Sequence, residues 1–414
     1  MSSVSPARRA AFDTVLRVFE DTAYGDRAFP TAAAGLDPRD RALAQRLAYG
    51  TIQRVRTLDH GIEMLGRRPV AKLDPPVRAA LRLGAYQLGF SEVAVHAAVN
   101  ESVELVRAAG LERAVSFTNA VLRRLALGLG DLLDSLPAAS PEQAALKHSY
   151  PDWVAQLWWR ELGAEEAVAL LEAQNEPPET VVRRNPRKEG SIDGTPDPEI
   201  TGALHVERVD EDALRAGLLW PQSRGSQLAG LCVASREGER VLDLCAAPGG
   251  KATQFAGEVT AVEKHPGRAR ELEENCARLG ASNVEVVNAD ALELPAELRD
   301  YDWALVDAPC SGLGVLASRP DLRWRARPLP ELQGALLRVG AERVRPGGAV
   351  VYAVCTINAE ENEAVVDGSG LEPEPLSEEW PQFVHPRRPE FLLTLPHRHH
   401  TAGFFIARLR ASGA

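Results

Sequence analysis

The stretch Val241 to Phe255, VLDLCAAPGGKATQF, constrains the fold of this chain more than any other. Val241, Leu242 and Leu244 form an apolar run suited to a central parallel strand, and Pro248-Gly249-Gly250 lets backbone approach a ligand closely. Helical composition resumes at Lys251, so a helix from Lys251 to Ala256 is expected, with an N-terminus that favours an anionic group. The spacing is neither G-x-G-x-x-G nor G-x-x-x-x-G-K-[ST], so both the dinucleotide fingerprint and the phosphate-cradling P-loop fail. A strand followed by glycines is more often only a tight connection. The pattern downstream gives it a function.

After Lys251 the chain alternates strand and helix as a doubly wound sheet requires. Strands are expected at Val259 to Glu263, VEVVN, WALVDAPC and AVVYAVC, with helices PGRARELEENCARLG and LPELQGALLRVGAERV between them and a turn at Pro346-Gly347-Gly348. Glu263, Asp290, Cys310 and Cys355 all fall at or just past a strand's carboxyl end, where open α/β sheets bind ligands. A lone acid there is ordinarily a helix cap or a surface charge. Two acids at successive strand ends beside a glycine-rich turn suit an adenosine, Glu263 accepting from ribose hydroxyls and Asp290 meeting the adenine edge or ribose.

A chain of 414 residues, 45% hydrophobic and 25% charged, exceeds one ordinary domain and has the composition of a soluble protein. From Ser5 to about Leu127 apolar residues recur at helical spacing, as at Val99, Val103 and Val106, so a helical bundle is expected over 1–130. Leu129 to Glu142 reads as a linker, followed by a small α/β RNA-binding subdomain over 141–222 and a catalytic domain over 223–414. In the subdomain, Asp152 is a candidate helix cap and Trp153, Trp158 and Trp159 are packing bulk. The net charge of −11, about +3 over residues 1–140 and about −14 beyond, argues against a generally basic nucleic-acid binder. Any RNA contact must come from local patches. Arg183, Arg184, Arg187 and Lys188, and the Arg323, Arg325 and Arg327 group, are candidates for phosphate contacts; the pairs Arg8-Arg9, Arg67-Arg68 and Arg123-Arg124 read first as solvated helix faces. No long uncharged apolar run and no signal-peptide core occur, so a cytoplasmic protein with no membrane partner is expected. Five cysteines without C-x-x-C spacing disfavour a disulfide framework and a zinc site, and no metal is expected.

Cys232 and Cys276 read as small hydrophobes, and Cys245 as a small residue in the cofactor loop. Cys310 and Cys355 at neighbouring strand ends would share one cleft with Asp307. An adenosine-type cofactor, a thiolate and a carboxylate suit methylation of a carbon that is not nucleophilic by itself, such as cytosine C5. A thiolate adding to C6 makes C5 enamine-like.

Here the sequence resembles the Nol/Nop/Sun family of RNA cytosine-C5 methyltransferases, of the bacterial 16S rRNA methyltransferase B (RsmB or Sun) type. The resemblance rests on LCAAPGGK, VDAPCSGLGVLASRPDLRW, YAVCTINAEENE, VVRRN, GSQL and GFFIARL, and on RDRALAQRLAYGTIQR, LRLGAYQLGF, HAAVNESVELVR and TNAVLRR in the first domain. It implies a multidomain fold, an all-α NusB-like bundle followed by an α/β Rossmann-like S-adenosylmethionine-dependent domain. The implied cofactor is S-adenosyl-L-methionine, held by Cys245, Ala246, Ala247, Pro248, Gly249, Gly250, Lys251, Glu263, Asp290 and Asp307. The implied catalytic set is Cys355 as nucleophile, Cys310 in product release and Asp307 on the cytosine edge. The implied partner is 16S ribosomal RNA, naked or early in assembly, and a monomer is expected. Glu263 stands where the family more often has Asp, Val354 where it has Thr, and Ala402 where it has Asp, while PQSRGSQL lacks an acid before GSQL. A tRNA or 23S rRNA target, or a non-catalytic RNA-binding assembly factor, are the competing readings. An amino-group methyltransferase would need Asn/Asp-Pro-Pro-aromatic in place of Asp307-Ala308-Pro309-Cys310.

Overall fold

The computed structural model describes residues 4–411. The chain forms two compact units: one runs to Glu176 and includes Leu316–Arg325, and the other is Pro177–Val315 with the chain from Ala326 onward. The helices between 141 and 176 therefore cluster with the N-terminal helices rather than with the strands that follow.

The first unit is helical: α1 (Pro6–Phe19), α2 (Gly25–Ala32), α3 (Pro38–Gly66), α4 (Pro75–Phe90), α5 (Val95–Ala108), α6 (Glu112–Ser135), α7 (Pro141–His148), α8 (Asp152–Leu162) and α9 (Ala164–Ala173). The apolar stripes face inward. Val99, Val103 and Val106 of α5 join Leu47, Ile52 and Leu58 of α3 and Val121, Leu122 and Leu125 of α6 in one core. The expected linker is partly helix: α6 continues to Ser135 because Leu125, Leu129 and Leu133 keep a four-residue spacing, and Leu129 is buried. Arg8 is not solvated, since its guanidinium donates to Gln87 at 2.6 Å and Glu101 at 2.9 Å. Arg123 and Arg124 are exposed. Asp152 caps nothing and pairs with Arg56 at 2.7 Å; Trp158 is buried edge-on to Tyr150, whereas Trp153 is on the surface.

Arg323 corrects the expectation of a phosphate-contacting cation. It is fully buried, 3.9 Å over the Tyr150 ring, and donates to the carbonyls of Gln174 at 2.7 Å and Ser149 at 3.3 Å and to Asn175 Oδ1 at 2.8 Å. Ser149 and Gln174 follow the last residues of α7 and α9, where carbonyls lack helical partners and carry partial negative charge. A planar guanidinium satisfies several such acceptors at once. Arg325 is likewise committed, donating to the carbonyls of Thr22 and Val18, while Arg327 is exposed.

In the second unit, β1 (Val181–Arg184), β2 (Thr195–Pro196), β3 (Ala203–His205) and β4 (Leu219–Pro221) form a small antiparallel sheet in the order β2-β3-β1-β4. Side chains alternate across a strand, so Arg184 points to solvent and Arg183 is buried, donating to Thr253 Oγ1 at 2.7 Å. Burial lowers the Arg183 pKa to about 10. Arg187 donates to the carbonyls of Thr253 and Phe255. Two of the four cations expected on phosphates instead clamp the turn that follows Lys251.

The large sheet comprises β5 (Arg240–Asp243), β6 (Glu258–Val262), β7 (Val284–Val287), β8 (Tyr301–Asp307), β9 (Val344–Val354), β10 (Glu372–Glu374), β11 (Leu392–Thr394) and β12 (Phe404–Arg410). Its order is β10-β12-β9-β8-β5-β6-β7, with β11 beside β12; β5 to β9 pair in parallel and β12 is antiparallel to β9. Helices Pro266–Leu279 and Pro330–Arg343 provide crossovers. The expected turn at Pro346-Gly347-Gly348 lies inside β9, where pairing with β8 shifts register and Gly347 has φ 78°. The expected helix after Lys251 is only a 3₁₀ turn, Ala252–Gln254, because the chain enters β6 at Glu258 and leaves no room for an α-helix. The anticipated anion-favouring helix terminus is therefore absent.

Two glycines bring distant motifs into backbone contact. Gly314 donates to the Cys355 carbonyl at 3.0 Å and accepts from Gly403 at 2.8 Å, and a Cβ on Gly314 would lie 2.0 Å from the Gly403 oxygen. Val354 sits fully buried opposite Phe405, so the absent hydroxyl is replaced by a methyl in the core.

Arg323→Ala should destabilise the helical unit by about 3 kcal/mol, because several buried carbonyls lose their donor together. Urea unfolding of the full chain measures this; wild-type stability in the variant would mean the guanidinium is not a buried partner.

Candidate active site

Strand order reverses at β5, with β6 on one side and β8 on the other, and this switch point opens a crevice at the strands' carboxyl ends. The loop Cys245–Lys251 leaves β5 there and Asp307 ends β8. Lys251 Nζ lies 2.7 Å from Asp307 Oδ2 and 5.2 Å from the centre of the Phe404 ring. Gly249 holds φ 107°, a backbone conformation that side chains strain to adopt. Asp243, buried at the end of β5, accepts the Cys245 N–H at 3.3 Å. Burial first, and the nearby Asp307 second, push its carboxyl up to about 7.

Glu263 follows β6 directly and is 5% exposed. Its Oε1 accepts the His265 N–H at 2.8 Å and its Oε2 lies 3.4 Å from Arg268, which also donates to the Ala247 carbonyl at 2.6 Å. Arg268 thus ties the acid to the glycine-rich loop. Asp290, after β7, caps the 3₁₀ turn Ala291–Glu293 and pairs with Lys264 at 2.6 Å, and the Lys264 ammonium holds its pKa below the usual range.

The two thiols sit at adjoining strand ends, Cys310 three residues past Asp307 and Cys355 directly after β9. Their sulfurs are 3.4 Å apart. With Cys310 as donor, the Cys355 pKa falls below that of an ordinary thiol, helped by Lys251 and opposed by burial and Asp307. The same hydrogen bond, then burial, raises Cys310 well above it. Burial pushes Cys232 to about 12 and Cys276 to about 11, and raises Cys245 as well. Of the five thiols, only Cys355 is shifted toward the thiolate.

The structure therefore gathers Lys251, Asp307, Cys310 and Cys355 at the switch point, with Glu263 and Asp290 at the next two strand ends. It also brings in residues that sequence reasoning passed over: Asp243, Arg268 and the buried Glu361. Asp243 lies inside the apolar run already singled out, and Arg268 lies in the first turn of the helix after β6; no signal separates Glu361 from the acids around it. Among the described residues no His/Cys/Asp/Glu group could hold a metal ion, and no helix is long and apolar enough to cross a membrane.

The elevated Asp243 carboxyl gives stability a pH dependence. The native state keeps a proton that the unfolded chain releases near pH 4, so the contribution of Asp243 to stability falls from about pH 4 to about pH 7 and is level above. Asp243→Asn keeps the acceptor for Cys245 and removes this decline. The variant should exceed wild type in urea midpoint at pH 8 and lose that margin at pH 4; a margin independent of pH would contradict the assignment.

Residues 231–410 match the family model described as 16S rRNA methyltransferase RsmB/F, and residues 5–127 match the NusB family. The probable ribosomal RNA small subunit methyltransferase B of Synechocystis sp. is 34% identical, covering 98% of this chain and 99% of that protein. The probable ribosomal RNA small subunit methyltransferase B of Bacillus subtilis is 30% identical over 98% of this chain and 99% of its own length. The crystal structure of PH0851 superposes with a TM-score of 0.80 over 99% of both chains at 23% identity, a likeness of fold. With a NusB-type helical region ahead of an α/β methyltransferase sheet and close relatives along its whole length, the chain belongs to the RsmB/F family of S-adenosylmethionine-dependent RNA methyltransferases.

Proposed function

We propose that the chain methylates C5 of a cytosine in small-subunit ribosomal RNA, with Cys355 adding to C6 and Cys310 releasing the product. The observation that carries this reading is the thiol pair, its sulfurs 3.4 Å apart at adjoining strand ends beside the Lys251–Asp307 pair. An amino-group methyltransferase has no use for such a pair. The small-subunit target follows from the names of the Synechocystis and Bacillus relatives and from the NusB-type region.

The residues at the strand ends fit S-adenosylmethionine. Glu263 has a carboxylate for the ribose hydroxyls, Asp290 one for the adenosine edge, and backbone of Cys245, Ala246, Ala247, Pro248, Gly249, Gly250 and Lys251 lines the approach. The bound cofactor supplies an electrophilic methyl group on a sulfonium sulfur. The target base is flipped from its stack, and Asp307, steadied by Lys251, accepts from the cytosine amino edge. The Cys355 thiolate forms a bond to C6, and the displaced electron pair makes C5 nucleophilic. After C5 is methylated, a base accepts the C5 proton, its C–H electrons restore the C5–C6 double bond, the C6–S bond breaks and Cys355 leaves with its electron pair, a release that Cys310 assists. Exposed Arg184 and Arg327, with half-buried Lys188, remain of the two basic clusters to meet phosphate.

Glu263→Ala should weaken cofactor binding by about 2 to 4 kcal/mol, the loss of two charge-assisted hydrogen bonds. Unchanged affinity by calorimetry would remove Glu263 from the site. The cysteines should fail differently. Cys355→Ala should be inactive and leave RNA free, whereas Cys310→Ala should accumulate a protein–RNA adduct that survives denaturing electrophoresis. An adduct in Cys355→Ala alone would reverse the two roles, and none in either variant would make both thiols mere packing. Bisulfite sequencing of a deletion strain should show one small-subunit rRNA cytosine losing its protection; loss in tRNA or large-subunit rRNA instead would reassign the substrate.

A further inference from the structure

We infer that Glu361 is a positioning residue whose carboxylate holds the two thiol loops at their working separation. It is fully buried and lies six residues beyond Cys355. Its Oε1 accepts from the Ser311 N–H at 2.9 Å, the Leu329 N–H at 3.1 Å and Gln333 Nε2 at 3.0 Å. Its Oε2 accepts from the Ser311 hydroxyl, from the Thr356 hydroxyl at 3.3 Å and from Asn358 Nδ2 at 3.3 Å. Ser311 follows Cys310 and Thr356 follows Cys355, and their hydroxyls are 2.8 Å apart. Gln333 Nε2 reaches the Pro309 carbonyl too, at 2.9 Å, on the other side of Cys310. The Glu361 carbonyl is itself held by the Tyr352 hydroxyl at 2.6 Å, which roots the acid in β9.

A carboxylate accepts on both oxygens and donates nothing, so six converging donors select it over any neutral side chain. An amide of the same shape would set its own N–H groups against N–H and O–H groups already aimed inward. The loops would then relax by some tenths of an ångström. A 3.4 Å sulfur contact has little tolerance for that, and Cys355 would lose the donor that favours its thiolate. Glu361 touches neither thiol through a hydrogen bond; it holds the loops through Ser311 and Thr356, and its charge also raises the Cys310 thiol directly. The inference rests on the proposed use of the thiol pair, but its first readout needs no RNA.

The test is Glu361→Gln in the full chain, read by the pH dependence of iodoacetamide alkylation at Cys355, followed on its own peptide by mass spectrometry. The groups facing Cys355 are Cys310, Asp307 and Lys251, all present in the variant; losing the Glu361 charge by itself lowers the Cys310 thiol and so favours the Cys355 thiolate, so a rise at Cys355 reports the loop shift rather than the lost charge. The alkylation midpoint should rise by on the order of one pH unit. With unmethylated small-subunit rRNA as substrate, kcat should fall on the order of 100-fold while KM and cofactor affinity stay within about twofold. Should Glu361→Gln fail to fold, Ser311→Ala keeps the backbone bond and removes one link between the loops, and it should move the midpoint and kcat the same way by less. An unmoved midpoint in the folded variant overturns the inference. A raised midpoint together with no RNA methylation by wild type leaves the inference standing and sinks the proposed function instead.

Discussion

Parallel hydrogen bonding of β8 to both β5 and β9 brings three strand ends side by side, and the chemistry of this protein depends on that adjacency. Lys251 after β5, Asp307 at the end of β8 and Cys355 after β9 are far apart in sequence and meet only because of it. The next strands outward, β6 and β7, add Glu263 and Asp290 on the same side. A crevice at a switch point needs no special loop to create it, since the crossovers leave on opposite faces of the sheet.

Several charges that look available for a polyanion are spent on contacts within the protein. Arg183 and Arg187 hold the turn beyond the glycine-rich loop, and Arg323 satisfies the ends of two helices. A fully buried guanidinium such as that of Arg323 is costly to desolvate, and it persists where several fixed acceptors converge on one planar donor. The result is a chain whose net charge of −11 coexists with an RNA substrate class, provided that the contacts are few and local.

The two thiols illustrate how proximity can make identical groups unlike. Neither carries a strong positive neighbour other than Lys251, so the asymmetry comes from which sulfur donates to the other. A dense set of hydrogen bonds around Ser311, Thr356 and Glu361 lies directly beyond both thiols. The contact between Gly314 and Gly403 pins the loop beyond Cys310 to the strand β12.

Much of this was legible in the sequence, because periodicity and turn chemistry are local. Helical spacing marked the bundle, apolar runs ending in Glu263, Asp307 or Cys355 marked the parallel strands, and the resemblance of LCAAPGGK and the two cysteine motifs pointed to the cofactor and the thiols. What depended on partners distant along the chain was not legible. Arg183 and Arg184 are neighbours of identical chemistry, and only strand register makes one internal. Leu129 to Ser135 lacked the composition of a firm helix, yet the core beneath Leu129 continued it. Glu360, Glu361 and Glu363 stand in one short acidic run: Glu360 is exposed, Glu363 pairs with His385, and Glu361 alone lies under both thiol loops. Sequence determined which residue types stand at the strand ends, since side-chain period and turn signals are written residue by residue. Tertiary structure alone decided which charges are buried, because burial is fixed by what packs from elsewhere in the chain.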